Sequence, residues 1–236
     1  MEQLRNAFGK LSVPADEATL SKFEEYMRMV LSWNEKVNLT AITDRGDFVR
    51  KHFIDSLLCT GFPEVVNADE IVDVGTGAGF PGVPLALVFQ NKRISLIDAA
   101  NKKVRILSEI VSALGLTNVS LICGRAEELA RRAEHREKFD VCVSRAVANL
   151  STLSEYCLPF VKVGGAFISY KGQSADDELA EAAGAIMELG GGNAEARRPH
   201  MEEFGMNHSL IVVRKIAPTP DKYPRRPGLP AKDPLK

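Results

Sequence analysis

The chain has 236 residues, 45% apolar and 26% charged, with 30 basic against 31 acidic side chains and a net charge of −1. These proportions are globular and exclude a disordered chain, a coiled coil and a disulfide scaffold. The near-neutral balance excludes a uniformly basic nucleic-acid binder, so such a partner must meet a local patch. The longest apolar run, Val83 to Phe89 read through Pro84, falls far below the ~20 residues of a membrane span. The opening residues lack the apolar stretch of a secretion signal. Cys59, Cys123, Cys142 and Cys157 form no C-x-x-C pair. They are expected to be reduced thiols of a cytoplasmic protein, with no metal.

Residues 1–66 read as a helical cap. From Asp16, an N-cap candidate after Pro14, apolar residues fall at Leu20, Phe23, Met27, Val30 and Leu31, the spacing of one helix face. A second helical pattern, Phe48 to Leu57, follows the polar turn Thr43 to Asp47. Residues 67–216 then alternate strand and helix. Ile71 to Val74, Ile94 to Asp98, Val119 to Cys123, Phe139 to Ser144 and Ala166 to Tyr170 read as strands, the last introduced by Gly164-Gly165. Val83 to Phe89, Val104 to Leu114 (closed by Gly115) and residues 175–189 read as helices, and Leu210 to Val213 as a final strand. This alternation predicts a mostly parallel α/β sheet covered on both faces. Residues 217–236 hold six of the twelve prolines. Arg214 to Lys236 has seven basic and two acidic residues, a net of +5, so the remainder carries −6. The proline spacing predicts an extended, basic arm.

The informative segment is Asp73-Val74-Gly75-Thr76-Gly77-Ala78-Gly79-Phe80-Pro81-Gly82, which follows a strand and opens a helix. Glycines there let a ligand approach the backbone. The pattern is G-x-G-x-G; the dinucleotide fingerprint needs a glycine three after the second, and Phe80 stands there. The loop therefore suits the phosphate-free S-adenosylmethionine better than a pyrophosphate. Asp98, ending the next strand, can accept both ribose hydroxyl protons of either kind of nucleoside.

Beyond this loop, the chain resembles the glucose-inhibited-division-B family of 16S ribosomal RNA guanine-N7 methyltransferases. The resemblance rests on the segments Trp33 to Thr40, His52 to Leu57, Asp73 to Pro84, Leu96 to Asp98, Gly124 to Glu128, Ser144 to Ala148, Lys171-Gly172 and Lys222 to Gly228. It implies a class I, Rossmann-like methyltransferase: a mostly parallel seven-stranded sheet with a last antiparallel strand, plus the N-terminal helical cap. Gly75, Thr76, Gly77, Gly79, Phe80 and Asp98 would hold S-adenosylmethionine, with Ala126 and Glu127 at the adenine side. Arg145 would reach into the site. The partner would be 16S ribosomal RNA or the small ribosomal subunit, and a monomer is expected.

The chemistry is consistent with that target. Ser144-Arg145-Ala146-Val147 stands where amine-methylating DNA enzymes often carry an acidic-proline-proline-aromatic signature. Cys157, the thiol nearest the position a carbon-methylating nucleophile would take, sits in an apolar run and reads as core. Guanine N7 needs neither device, because its lone pair is available unprotonated. Arg145 can donate bidentately to guanine O6 or to a phosphate, and it can equally pair with the cofactor or stand at the surface. Arg125, Lys171, Arg225 and Arg226 are further candidates for RNA contact. His208 is another, although relatives often show arginine at its position. His52 reads as either a site-edge or a packing residue. The competing functions are a class I methyltransferase acting on a small molecule or protein, a nicotinamide dehydrogenase, and a non-catalytic RNA-binding protein. The dehydrogenase lacks its third glycine and a hydride-transfer constellation.

Overall fold

The computed structural model describes every residue except 15, 146, 147, 173, 174 and 207, so Ala146 and Val147 of the Ser144–Ala148 block lie outside the described residues. Seven strands form one sheet: β1 (Glu70–Val74), β2 (Arg93–Asp98), β3 (Val119–Cys123), β4 (Phe139–Arg145), β5 (Val161–Lys171), β6 (Gly191–Arg197) and β7 (Ser209–Lys215). Their spatial order is β3-β2-β1-β4-β5-β7-β6. β1 to β5 pair in parallel, and β7 runs antiparallel between β5 and β6. The order reverses between β1 and β4, which opens a crevice beyond the carboxyl ends of those strands.

The helices are α1 (Glu2–Lys10), α2 (Glu17–Asn34), α3 (Arg45–Phe48), α4 (Pro63–Val66), α5 (Gly82–Val88), α6 (Asn101–Ala113), α7 (Ala126–Leu129), α8 (Leu150–Cys157), α9 (Ala175–Glu188) and α10 (Leu229–Lys232). Asp16 caps α2 by accepting the Thr19 N–H at 2.8 Å. Strand residues alternate between two cores. Ile71, Val141, Val143, Ile168 and Val212 face the one shared with the N-terminal helices, α5 and α6. Val72, Val74, Cys142, Phe167 and Val213 face the other, with α8 and α9. This is the period-two consequence of the pleat.

Several features go beyond the sequence reading. α1 lies ahead of the first expected helix and buries Leu4, Ala7 and Phe8. β6 has no apolar run to announce it; it is an edge strand whose only strand partner among the described residues is β7. β5 starts at Val161, so Gly164 and Gly165 lie inside it. A Cβ on Gly165 would stand 2.4 Å from the Asp140 carbonyl oxygen, so that crossing admits only glycine. Cys123 is exposed because β3 is the opposite edge strand.

The C-terminal segment is not an extended free arm. It folds along the body, burying Thr219 and Tyr223 and forming the helical turn α10. Arg131 donates to the carbonyls of Pro224, Asp221 and Lys222, and Arg136 to those of Tyr223, Thr219 and Pro220. Prolines leave carbonyls free to accept, and two arginines of the body collect them.

Candidate active site

The loop after β1 is tied down from three sides. Gly75 and Thr76 donate their N–H groups to the Ile97 carbonyl at 2.9 and 3.0 Å. Asp98 accepts the Gly77 N–H at 3.0 Å on Oδ2 and the Ala100 N–H at 2.8 Å on Oδ1. The Tyr26 hydroxyl, on α2, donates to the Ala78 carbonyl at 2.7 Å. Beneath the loop, the buried Asp73 accepts from Thr76 Oγ1 at 2.7 Å and the Gly82 N–H at 2.9 Å, both on Oδ2. Burial pushes its carboxyl up to about 6.

A pocket of about 530 Å³ opens at the switch point. Gly75, Thr76, Gly77, Phe80, Asp98, Ala126, Glu127 and Arg145, eight of the nine expected cofactor residues, line it. Gly79 does not: a Cβ there would meet Tyr26 Oη at 2.6 Å, Val83 at 2.7 Å and Leu107 at 3.0 Å. The third glycine of the motif therefore packs the loop against α2, α5 and α6. Arg125, expected toward RNA, lines this same pocket, as do Lys103 and Tyr156.

A second pocket, also about 530 Å³, lies on the other side of Arg145. Arg145 ends β4, Lys171 ends β5 and His208 precedes β7, so three neighbouring strands deliver them to one rim. His52, Asp55 and Tyr170 complete it. His52 sits in a π-helical stretch, Val49–Ile54, that continues α3. This wider winding turns both His52 and Asp55 toward the sheet; single π-turns of this kind recur at functional sites.

Arg145 joins these groups. Its Nη1 donates to Asp55 Oδ2 at 2.8 Å and to the Lys51 carbonyl at 3.0 Å, and its Nη2 donates to His52 Nδ1 at 3.1 Å. The guanidinium stands 5.1 Å from the Phe80 ring centroid. The His52 ring stacks on the same phenyl at 4.3 Å, 6° from parallel. Because arginine only donates, His52 Nδ1 must accept, which leaves the proton on Nε2, 2.7 Å from Thr40 Oγ1. Burial and the Arg145 charge push His52 down to about 3, so it is neutral. The other Asp55 oxygen meets His208 Nδ1 at 2.5 Å. Burial pushes Asp55 up, but the His208 hydrogen bond and the Arg145 charge outweigh it and hold the carboxyl below the usual range. The same hydrogen bond raises His208.

The remaining expected RNA contacts stand elsewhere or are engaged. Lys171 lines the second pocket, but its ammonium bonds the Glu178 carboxylate at 2.7 Å and the Ala148 carbonyl at 2.9 Å. Arg225 is paired with the buried Glu155 at 2.7 Å, and Arg226 is exposed away from both pockets. Asp55, Tyr26 and Tyr156 are site residues that their residue types do not single out. The one sequence signal is the His52–Asp55 spacing, a base and an acid three apart on a helix.

The reversed strand order, the glycine loop and the acid at the end of β2 define a class I methyltransferase. Solved structures share the fold: an O-methyltransferase from Bacillus cereus in complex with SAH, 20% identical, has a TM-score of 0.57 over 86% of this chain and 92% of that one. A M. jannaschii TYW2 solved with AdoMet, 17% identical, has a TM-score of 0.50 over 74% and 76%. The chain belongs to the GidB family, described as rRNA small subunit methyltransferase G, whose model matches residues 19–199. Among similar proteins named ribosomal RNA small subunit methyltransferase G, that of Clostridium tetani is 43% identical over 99% of this chain and 98% of its own length. That of Clostridium beijerinckii is 47% identical over 91% and 90%. Among the described residues, no group of side chains could hold a metal ion and no helix is long and apolar enough to cross a membrane.

Proposed function

We propose that this protein methylates N7 of a specific guanine in 16S ribosomal RNA, with S-adenosylmethionine as donor. The observation that carries this reading is the pair of pockets of similar volume that meet at His52 and Arg145, one lined by the glycine loop and Asp98 and one at the ends of β4 and β5.

The donor fits the first pocket by its chemistry. Asp98 keeps acceptor capacity for ribose hydroxyls after taking two backbone N–H groups, and Phe80 supplies an apolar wall. When bound, S-adenosylmethionine supplies an electrophilic methyl group. The chain's own task is alignment of donor and acceptor, which is worth many orders of magnitude by proximity alone. Arg145 is the group placed for it. Three of its neighbours, Asp55, His52 and the Phe80 face, fix the plane of its guanidinium at the boundary between the pockets. A fixed guanidinium can donate to guanine O6 and so orient N7 without touching its lone pair.

Methylation at N7 needs no general base, and the two groups that touch Arg145 are not free to act as one. His52 is neutral and its unprotonated nitrogen accepts from Arg145. Asp55 is fully engaged by Arg145 and His208. Lys103 and Arg125 line the donor pocket without acidic partners among the described residues and supply positive charge for a phosphate backbone.

The test is transfer of labelled methyl from S-adenosylmethionine to small subunits and to naked 16S RNA, followed by N7-selective chain cleavage. One labelled guanine with N7 chemistry is expected. Label confined to a protein or small molecule, or found on an exocyclic amine, rejects the assignment.

A further inference from the structure

We propose that the C-terminal segment, residues 219–233, is a positioning element of the donor pocket, acting on Glu127 and Tyr156. The pocket's adenine-side wall is thin. It consists of the first residues of α7, which is four residues long, and the side chain of Tyr156 near the end of α8. A helix of one turn has no stability of its own and takes its position from what it packs against.

The tail packs against both elements from behind. The Gly228 N–H donates to Glu127 Oε1 at 2.9 Å, and Glu127 is only 4% exposed. Glu155, the neighbour of Tyr156, is wholly buried and accepts from Arg225 through its backbone N–H at 2.6 Å, Nε at 3.0 Å and Nη2 at 2.7 Å. Thr152 Oγ1, one turn earlier on α8, donates to the Pro230 carbonyl at 3.0 Å. Arg131, two residues past α7, grips the Pro224 and Lys222 carbonyls at 2.9 and 3.0 Å. One segment thus holds the carboxylate of one pocket residue and the helix that carries another.

Electrostatics gives the Gly228 contact its weight. Burial raises the Tyr156 phenol, and the nearby charges of Glu127 and then Glu155 push it further upward. A buried carboxylate needs donors to stay in place. Among the described residues Gly228 is the one protein donor to the Glu127 side chain, leaving Oε2 for a donor in the pocket such as an exocyclic amine. Without the tail, Glu127 is expected to turn toward solvent and the wall to loosen.

This inference rests on reading the pocket as that of the methyl donor, and its test separates the two. S-adenosylhomocysteine affinity is measured by calorimetry for the full chain, for a chain ending at Arg226, for Glu127→Ala, and for the two changes combined; RNA affinity is measured in parallel. Truncation should weaken S-adenosylhomocysteine roughly tenfold, the weight of one hydrogen bond to a charge. It should add little in the Glu127→Ala background and leave RNA affinity nearly unchanged. If the truncated chain fails to fold, Gly228→Ala in the full chain replaces it: the position has open space around it, but its φ of +82° strains any side chain and shifts the N–H. Unchanged S-adenosylhomocysteine affinity, an equal loss with and without Glu127, or a loss confined to RNA each overturns the proposal. A full-length chain that does not bind S-adenosylhomocysteine overturns the pocket reading itself.

Discussion

Arg145 and Asp55, 90 residues apart in sequence, form an ion pair at 2.8 Å with side chains only 14% and 5% exposed. Arg145 ends a central strand and Asp55 follows the π-helical turn of the cap, so this contact fastens the N-terminal helices to the sheet at the boundary of the two pockets. Its contribution to stability and the alignment role proposed for Arg145 separate by measurement.

Arg145→Ala leaves Asp55 buried with His208 as its remaining side-chain partner. Removing one member of a buried pair costs about 3–5 kcal/mol, which urea denaturation reads directly. Arg145→Lys keeps the charge but loses the planar fork. Its turnover should fall about 100-fold in single-turnover methyl transfer, the scale of a ~1 Å misplacement. Its affinity for S-adenosylhomocysteine should change far less. If instead affinity falls and saturating donor restores the rate, Arg145 belongs to the donor and not to the acceptor.

The two histidines on either side of Arg145 give opposite pH dependences. His52 is depressed from 6.5 to about 3, so between those values the unfolded chain binds a proton that the folded site refuses. Stability therefore falls as pH falls through that window, by at most about 1.4 kcal/mol per pH unit. His208 is raised by Asp55, so its contribution is complete below 6.5 and is lost as pH rises through its folded value. Urea midpoints at about pH 5, 7 and 9 should show His52→Gln flattening the acid side. His208→Gln should lose its deficit against the parent protein toward the alkaline end.

Gly79 tests whether the third glycine is a packing residue. Its φ of +104° and the 2.6 Å approach to the Tyr26 hydroxyl leave no room for a methyl group. Gly79→Ala should cost about 2–4 kcal/mol from overpacking and backbone strain. Gly77→Ala, whose added carbon would have only a backbone oxygen at 3.9 Å, should cost less stability and more donor affinity. Equal effects of the two substitutions on stability and binding would refute this division of labour.

Salt dependence separates the cations that face RNA from those that hold the fold. A side chain that neutralises one phosphate of single-stranded RNA steepens the log–log slope of affinity against salt by about 0.7, so its removal flattens the slope by the same amount. Lys103→Ala and Arg125→Ala should each do so. Arg225→Ala should leave the slope unchanged and destabilise the protein by about 3 kcal/mol, because it strips a fully buried Glu155 of its charged partner.

The strand series β1 to β4, the capped start of α2 and the glycine loop are legible in the sequence because each is written locally. Apolar alternation, an Asp before a helical run and glycines after a strand are consequences of neighbouring residues. β6 is illegible because its sequence, Gly-Gly-Asn-Ala-Glu-Ala-Arg, carries no strand pattern and it exists only because β7 offers an open edge. The course of the tail is hidden for a related reason. Its charge is visible in the sequence, but Glu155, Glu188 and the arginines that grip its carbonyls lie 34 or more residues away.

By itself, the sequence determined the class of sheet, the glycine loop, Asp98 at the next strand end and Arg145 at the strand end beyond the switch. These follow from periodicity and turn chemistry, which act over a few residues. Only the tertiary structure decided that Arg145 is held by Asp55 and His52, that Gly79 packs against α2, α5 and α6 and does not line the pocket, and that Arg225 pairs with the buried Glu155. A charge or a Cβ takes its role from whatever stands within a few ångströms, and in this fold those neighbours are brought together from up to 153 residues away, as with His208 and Asp55.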